Sequence, residues 1–153
     1  MATIGQALTA PEAGWRRYDD TSSSVEYLGS GAWLISTHSN WYGTTLKYSS
    51  INTVSYETHR IHFRFKGTKI RLMDAMGTNR PSSSKIVIDG VEHTYSAYST
   101  NPPSSPVFQG LCCEITGLED KVHEVVIFSS NVGYLGLDAI DIDDTGKLIH
   151  PSL

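Results

Sequence analysis

Polar and apolar residues alternate without a break from Arg60 to Phe65, with Arg60, His62 and Arg64 set against Ile61, Phe63 and Phe65. A period of two puts each set on its own face of an extended chain. The segment therefore predicts a half-buried strand with Ile61, Phe63 and Phe65 inward. Lys66-Gly67-Thr68 turns the chain into a second strand over Lys69–Met73. A third covers Lys85–Ile88, and Asp89-Gly90 behind it is the residue pair that a two-residue type I′ hairpin requires. Val91–Tyr95 is the return strand. Val107–Ile115 predicts a strand bulged near Gly110, with Leu111, Cys113 and Ile115 on one face. Val122–Phe128 predicts another. Tyr134–Ile142 is apolar on both faces, which predicts a central strand. Strands spaced by roughly 8–12 residues, with turn residues between them, predict an all-β sandwich or barrel.

Three long loops separate these strands. Ser36–Gly43 carries Trp41 and Tyr42 beside His38 and Asn40; Met76–Ser84 carries Asn79 and Arg80; Ala97–Pro106 carries Tyr98, Asn101 and three prolines. Long loops in a compact domain are where function concentrates. Flat aromatic faces stack on the C–H faces of a pyranose, and planar polar side chains take its hydroxyls. Each such hydrogen bond contributes only about 0.5–1.5 kcal/mol net, so a sugar site needs several. Trp41, Tyr42, Asn40, His38, Asn79, Arg80, Tyr98 and Asn101 are therefore the candidate ligand-binding residues, with the loops meeting at one end of the sandwich. The competing reading folds Trp41 and Tyr42 back over a sandwich edge. Trp15 and Trp33 lie close to strand patterns and read as packing residues.

Composition narrows the function classes. A chain of 153 residues reads as one domain. A net charge of −4 argues against a protein that tracks nucleic-acid phosphates, so no nucleic-acid partner is expected. No apolar run approaches the ~18 residues that cross a bilayer, and no membrane insertion is expected. No basic residue precedes Arg16 and no apolar core follows the start, so no signal peptide is read in this chain. Cys112 and Cys113 are adjacent, and a disulfide between them would distort the backbone. Both read as thiols, compatible with folding in a reducing cytosol. With 18% charged residues and loops rich in Ser, Asn, Pro and aromatics, the surface suits a neutral glycan better than a phosphate.

Three stretches together resemble a known family: Leu8–Asp20, Lys85-Ile86-Val87-Ile88-Asp89-Gly90-Val91-Glu92, and Leu135-Gly136-Leu137-Asp138-Ala139-Ile140-Asp141-Ile142. Their order is similar to galactose-binding-domain-like jelly-roll modules of the kind found in phage tail and tail-fibre proteins and beside bacterial surface enzymes. The resemblance implies a jelly-roll β-sandwich and non-catalytic carbohydrate binding, with a cell-surface or cell-wall polysaccharide as partner. It implies a virion tail or an extracellular, cell-surface location, and a homo-oligomer within a larger assembly. Residues 1–14 then read as a lead-in, 15–144 as the sandwich and 145–153 as a tail or linker. No cofactor is required. Modules of this kind often hold one structural calcium ion, for which Glu12, Asp19, Asp20 and Asp138 are the candidates.

Enzyme motifs are missing. There is no G-x-S-x-G elbow, no P-loop and no G-x-G-x-x-G. Ser82-Ser83-Ser84-Lys85 matches S-x-x-K, but in a serine-rich loop rather than on a helix. Asp141–Gly146 begins like an EF-hand loop, yet Ser152 stands where the bidentate Glu belongs. A carbohydrate-binding module, an assembly module that makes protein contacts, and a small hydrolase are the readings left to compare.

Overall fold

The computed structural model describes residues 2–152. Among them are thirteen strands and one short 3₁₀ turn, Tyr42–Thr44. The strands are β1 (Trp15–Asp19), β2 (Glu26–Leu28), β3 (Trp33–Thr37), β4 (Thr45–Ser49), β5 (Arg60–Gly67), β6 (Ile70–Met76), β7 (Ser84–Ile88), β8 (Val91–Tyr95), β9 (Val107–Ile115), β10 (Lys121–Ser129), β11 (Gly136–Leu137), β12 (Ala139–Asp143) and β13 (Lys147–Ile149). One sheet runs β1-β12-β6-β9. A second runs β13-β5-β10-β7-β8, with β2 also on β5, and a small third runs β11-β4-β3. All the pairings between named strands are antiparallel, and the fold is a jelly-roll β-sandwich.

The alternation read along β5 is the burial observed: Ile61, Phe63 and Phe65 are buried and their neighbours half-buried. They meet Ile70 and Leu72 of β6 and Ile140 and Ile142 of β12 across the space between the two large sheets. Each side chain of this size contributes about 1.5–3 kcal/mol when fully buried. The hairpin is also as read. Asp89 and Gly90 both have positive φ (52° and 83°), the two-residue turn that joins β7 to β8. A Cβ on Gly90 would meet nothing, so Gly90→Ala costs only the left-handed backbone penalty, about 1 kcal/mol. Urea unfolding of that variant checks the value.

Two expectations need correction. Leu111, Cys113 and Ile115 do not share a face. The β6–β9 register shifts between Leu72 and Met73, so Leu72 pairs with Cys113 and Met73 with Leu111. The bulge sends Leu111 to the outer side of the sheet with Met73, Leu8 and Ala139, while Cys112 and Cys113 both enter the main core. Both are free thiols, and burial pushes Cys113 up to about 12. Tyr134–Ile142 is likewise not one strand. The chain changes sheets at Asp138, whose N–H donates to the Met73 carbonyl while its own carbonyl accepts from Asp20 N–H.

The outer face of the first sheet carries an ionic ladder. Arg17, Asp141, Arg71 and Glu114 stand in register on β1, β12, β6 and β9. Arg17 grips Asp141 through Nε and Nη2 at 2.7 and 2.9 Å; Arg71 reaches Glu114 at 2.6 Å and Glu12 at 2.7 Å. Residues 2–14 lie over this face. Gly5 N–H donates to the Leu111 carbonyl, Leu8 N–H to Gln109, and Leu111 N–H to Gln6, so the segment is stitched to β9. At the other end of the chain, β13 pairs with β5 at residues 64–66.

Candidate functional site

A cavity of about 390 Å³ opens over the small third sheet. Leu34 and Ser36 of β3 and Leu46 and Tyr48 of β4 form its floor, with Ala75 of β6 beside them. Its walls come from separate loops: Trp41 after β3, Asn79 and Arg80 after β6, Pro103 and Pro106 before β9, and Tyr134 before β11. The strand period supplies the floor, because Leu46 and Tyr48 are two apart and share a face.

Trp41 is a wall rather than a free platform. It is 7% exposed and packs with Leu46 and Ala75; its ring lies 4.6 Å from Phe108, and its Nε1 donates to Ser36 Oγ at 3.1 Å. Tyr48 and Tyr134 meet edge to face at 6.3 Å. Arg80 donates from Nη1 to the Tyr134 carbonyl at 3.1 Å and stands 5.9 Å from the Tyr48 ring. Behind it lies Asp74, buried in β6. A Cβ on Gly136 would come within 2.6 Å of Asp74 Oδ1 and 2.7 Å of Arg80 Nη1, so the absence of a side chain there lets the two groups face each other. Burial pushes Asp74 up to about 6, against the pull of the Arg80 charge and the Ala75 N–H.

The eight residues read from the sequence divide. Trp41, Asn79 and Arg80 line the cavity and the other five do not. His38 stacks on Phe108 at 5.0 Å, and the Asn40 carbonyl accepts from Gln109 Nε2. The Tyr42 ring turns to the Arg17 guanidinium at 5.4 Å. Asn101 braces its own loop by donating to the Ser105 carbonyl, and its backbone carbonyl accepts from Thr78 N–H of the Met76–Ser84 loop. Tyr98 points outward and is 45% exposed. Tyr48 and Tyr134, absent from the sequence reading, take the aromatic places. The signal for Tyr48 is the spacing Leu46-x-Tyr48-x-Ser50, which only makes sense once that segment is known to hold a strand.

A second polar cluster lies next to the cavity wall. One carboxylate oxygen from each of Asp19, Asp20 and Asp138 falls within 4.8 Å of the others. Asp138 accepts from Tyr42 N–H at 3.0 Å, and Asp20 Oδ1 accepts from Thr45 Oγ1 at 2.9 Å. Asp20 Oδ2 is buried with no hydrogen-bond partner. Burial, with neighbouring carboxylates adding to it, pushes Asp138 up to about 8 and Asp20 well above its ordinary range. Hard oxygen donors, mutual repulsion and an orphaned acceptor suit a divalent cation such as calcium. Glu12, expected with these aspartates, is instead held by Arg71 and by Ala2 N–H.

No protein-family model and no curated protein matches the sequence. Solved structures do match in fold. CBM35 from Cellvibrio japonicus Abf62 superposes with a TM-score of 0.64 at 12% identity, covering 89% of this chain and 98% of that one. The salicylyl-acyltransferase SsfX3 from a tetracycline biosynthetic pathway gives 0.61 at 10% identity, over 94% of this chain and 43% of that one. An exo-β-1,3-galactanase of Phanerochaete chrysosporium, solved with β-1,3-galactotriose, gives 0.59 at 12% identity, over 85% and 29%. The common property is the β-sandwich fold. The chain spans less than half the length of both enzymes.

Proposed function

We propose that this chain is a non-catalytic carbohydrate-binding module. One observation carries the reading: the cavity sets the rings of Tyr48, Tyr134 and Trp41 beside the planar donors of Arg80 and Asn79 and the hydroxyls of Ser36 and Ser50. That is the mixture of flat apolar surface and polar groups that a sugar ring uses, in a volume within the usual range of about 300–1,000 Å³ for small-ligand sites. Asp74 balances the Arg80 charge from below, which favours a neutral glycan. The likeness to CBM35 and to a galactanase solved with a galactotriose supports a carbohydrate ligand. Asp19, Asp20 and Asp138 would hold a calcium ion, which supplies the positive charge that three converging carboxylates lack.

The resemblance carried by Lys85–Glu92 and Leu135–Ile142 extends the reading to a glycan-recognising part of a phage tail or bacterial surface protein. An assembly module is the second reading. It is favoured by β3, a free sheet edge on which Ile35 is 56% exposed. A glycan array followed by calorimetry tests the first reading, and light scattering tests the second. Trp41 is too deeply packed for its truncation to separate binding from folding. Tyr48→Ala is the cleaner probe: affinity for the array's best glycan falls at least about tenfold, or about 1.4 kcal/mol, while the melting temperature moves by only a few degrees. Undiminished affinity in that variant would reject the cavity as the sugar site.

A further inference from the structure

We propose that the carboxylate cluster controls the shape of the cavity, so that a divalent cation held by Asp19, Asp20 and Asp138 fixes the Trp41 wall. This rests on the carbohydrate-binding and cation readings above and adds a coupling between them. Trp41 lines the cavity, and three of the four residues that follow it each meet a different carboxylate. Tyr42 N–H donates to Asp138 Oδ1 and Oδ2 at 3.0 and 3.3 Å. Gly43 lies so close to Asp19 that a Cβ would stand 2.5 Å from its Oδ2. Thr45 Oγ1 donates to Asp20 Oδ1 at 2.9 Å. Two hydrogen bonds and one close approach within four residues tie the turn to the carboxylates, so it moves if they reorient.

The turn itself is a conformation the chain would not choose alone. Gly43 and Thr44 both have positive φ, 61° and 69°, and threonine is β-branched and rarely adopts that region. Thr44 N–H closes the turn on the Trp41 carbonyl at 3.0 Å. Trp41 is then wedged against Phe108, Leu46 and Ala75, so a shift of the turn moves the indole rather than being absorbed by slack. On the other side, the cluster is short of positive charge. Asp20, one of the three clustered carboxylates, is fully buried, and its Oδ2 has no donor. A cation supplies what that oxygen lacks and draws the three carboxylates to one centre, and the turn follows them. By linkage, a glycan that favours the same wall position tightens the cation site by the same factor.

Calcium alone is the probe, added to the ion-free, ¹⁵N-labelled full chain. Calorimetry gives its dissociation constant independently. The expected result is that the Trp41 indole N–H and the Tyr42 amide resonances shift along that same binding curve, while the Trp15 indole does not move. Thr45→Val, which keeps all three carboxylates, should still bind calcium but lose at least half of the Trp41 shift. Calcium binding that leaves the Trp41 indole unmoved overturns the coupling and leaves the cation reading standing. No calcium binding at millimolar concentration overturns the cation reading and this proposal with it. The carbohydrate reading fails separately, on the glycan array.

Discussion

Asp141→Ala should lower the free energy of unfolding by about 3–5 kcal/mol, the range measured when one partner of a buried ion pair is removed. Both side chains of the Arg17–Asp141 pair are almost wholly inaccessible, at 1% and 0% exposure. Two of the Arg17 nitrogens bond the Asp141 carboxylate, and Nη1 donates to the Leu8 carbonyl at 2.7 Å. Without Asp141 the guanidinium keeps the carbonyl but loses its counter-charge, under a segment that keeps water out. The double variant Arg17→Met, Asp141→Leu should recover most of the loss, because it removes the charge along with its partner. Urea unfolding of the wild type and both variants measures this. A loss below about 1 kcal/mol in Asp141→Ala would mean that water reaches Arg17 and that residues 2–14 do not seal the face. The exposed Lys66–Asp120 pair is the internal contrast, because surface pairs of that kind contribute about 0–1 kcal/mol.

The parts of the fold visible in the sequence are those where one face meets the core and the other meets water. β5, β7 and β10 obey that rule, and the hairpin at Asp89-Gly90 is fixed by two local backbone angles. β3 and β4 escape it. The pair sits in a small sheet with the cavity on one side, so Leu34 and Ile35 are both exposed although adjacent. The break at Asp138 was also hidden, because its causes are distant: the Met73 carbonyl and the Tyr42 amide lie far along the chain. The site followed the same division. Trp41, Asn79 and Arg80 could be picked as loop residues with sugar-compatible chemistry. Tyr42, His38 and Asn40 are neighbours of Trp41 in sequence, but the left-handed turn at Gly43 and Thr44 and the stacking on Phe108 direct them elsewhere. Glu12 shares the charge of the three aspartates, yet Arg71 holds it.

The ion-free protein should lose stability as pH rises from about 4 to about 8, and calcium should reverse that loss. The sign follows from proton counting. Asp138 has an ordinary value of 3.8 and is pushed up to about 8 in the folded chain, mainly by burial. Between those values the unfolded chain has released a proton that the folded chain still holds. The folded state then binds more protons, so stability falls as pH increases. Asp20 moves in the same direction, and Asp74, raised to about 6, contributes over the lower part of the window. Asp89 and Asp143 are lowered, so their contribution is present above the ordinary value and fades only as pH falls below it. They do not oppose the trend between 4 and 8; His62, lowered mainly by burial, opposes it below its ordinary 6.5 and offsets part of the fall from the three raised aspartates. A cation displaces the retained protons, so its stabilisation is larger at pH 8 than at pH 5. At a free concentration one hundred times its dissociation constant, calcium adds about 2.7 kcal/mol. Melting curves in EDTA and in calcium at both pH values test this directly. An EDTA curve that does not change between pH 5 and 8 would show that the aspartates are solvated. A falling EDTA curve that calcium leaves untouched would keep the buried carboxylates but remove the ion.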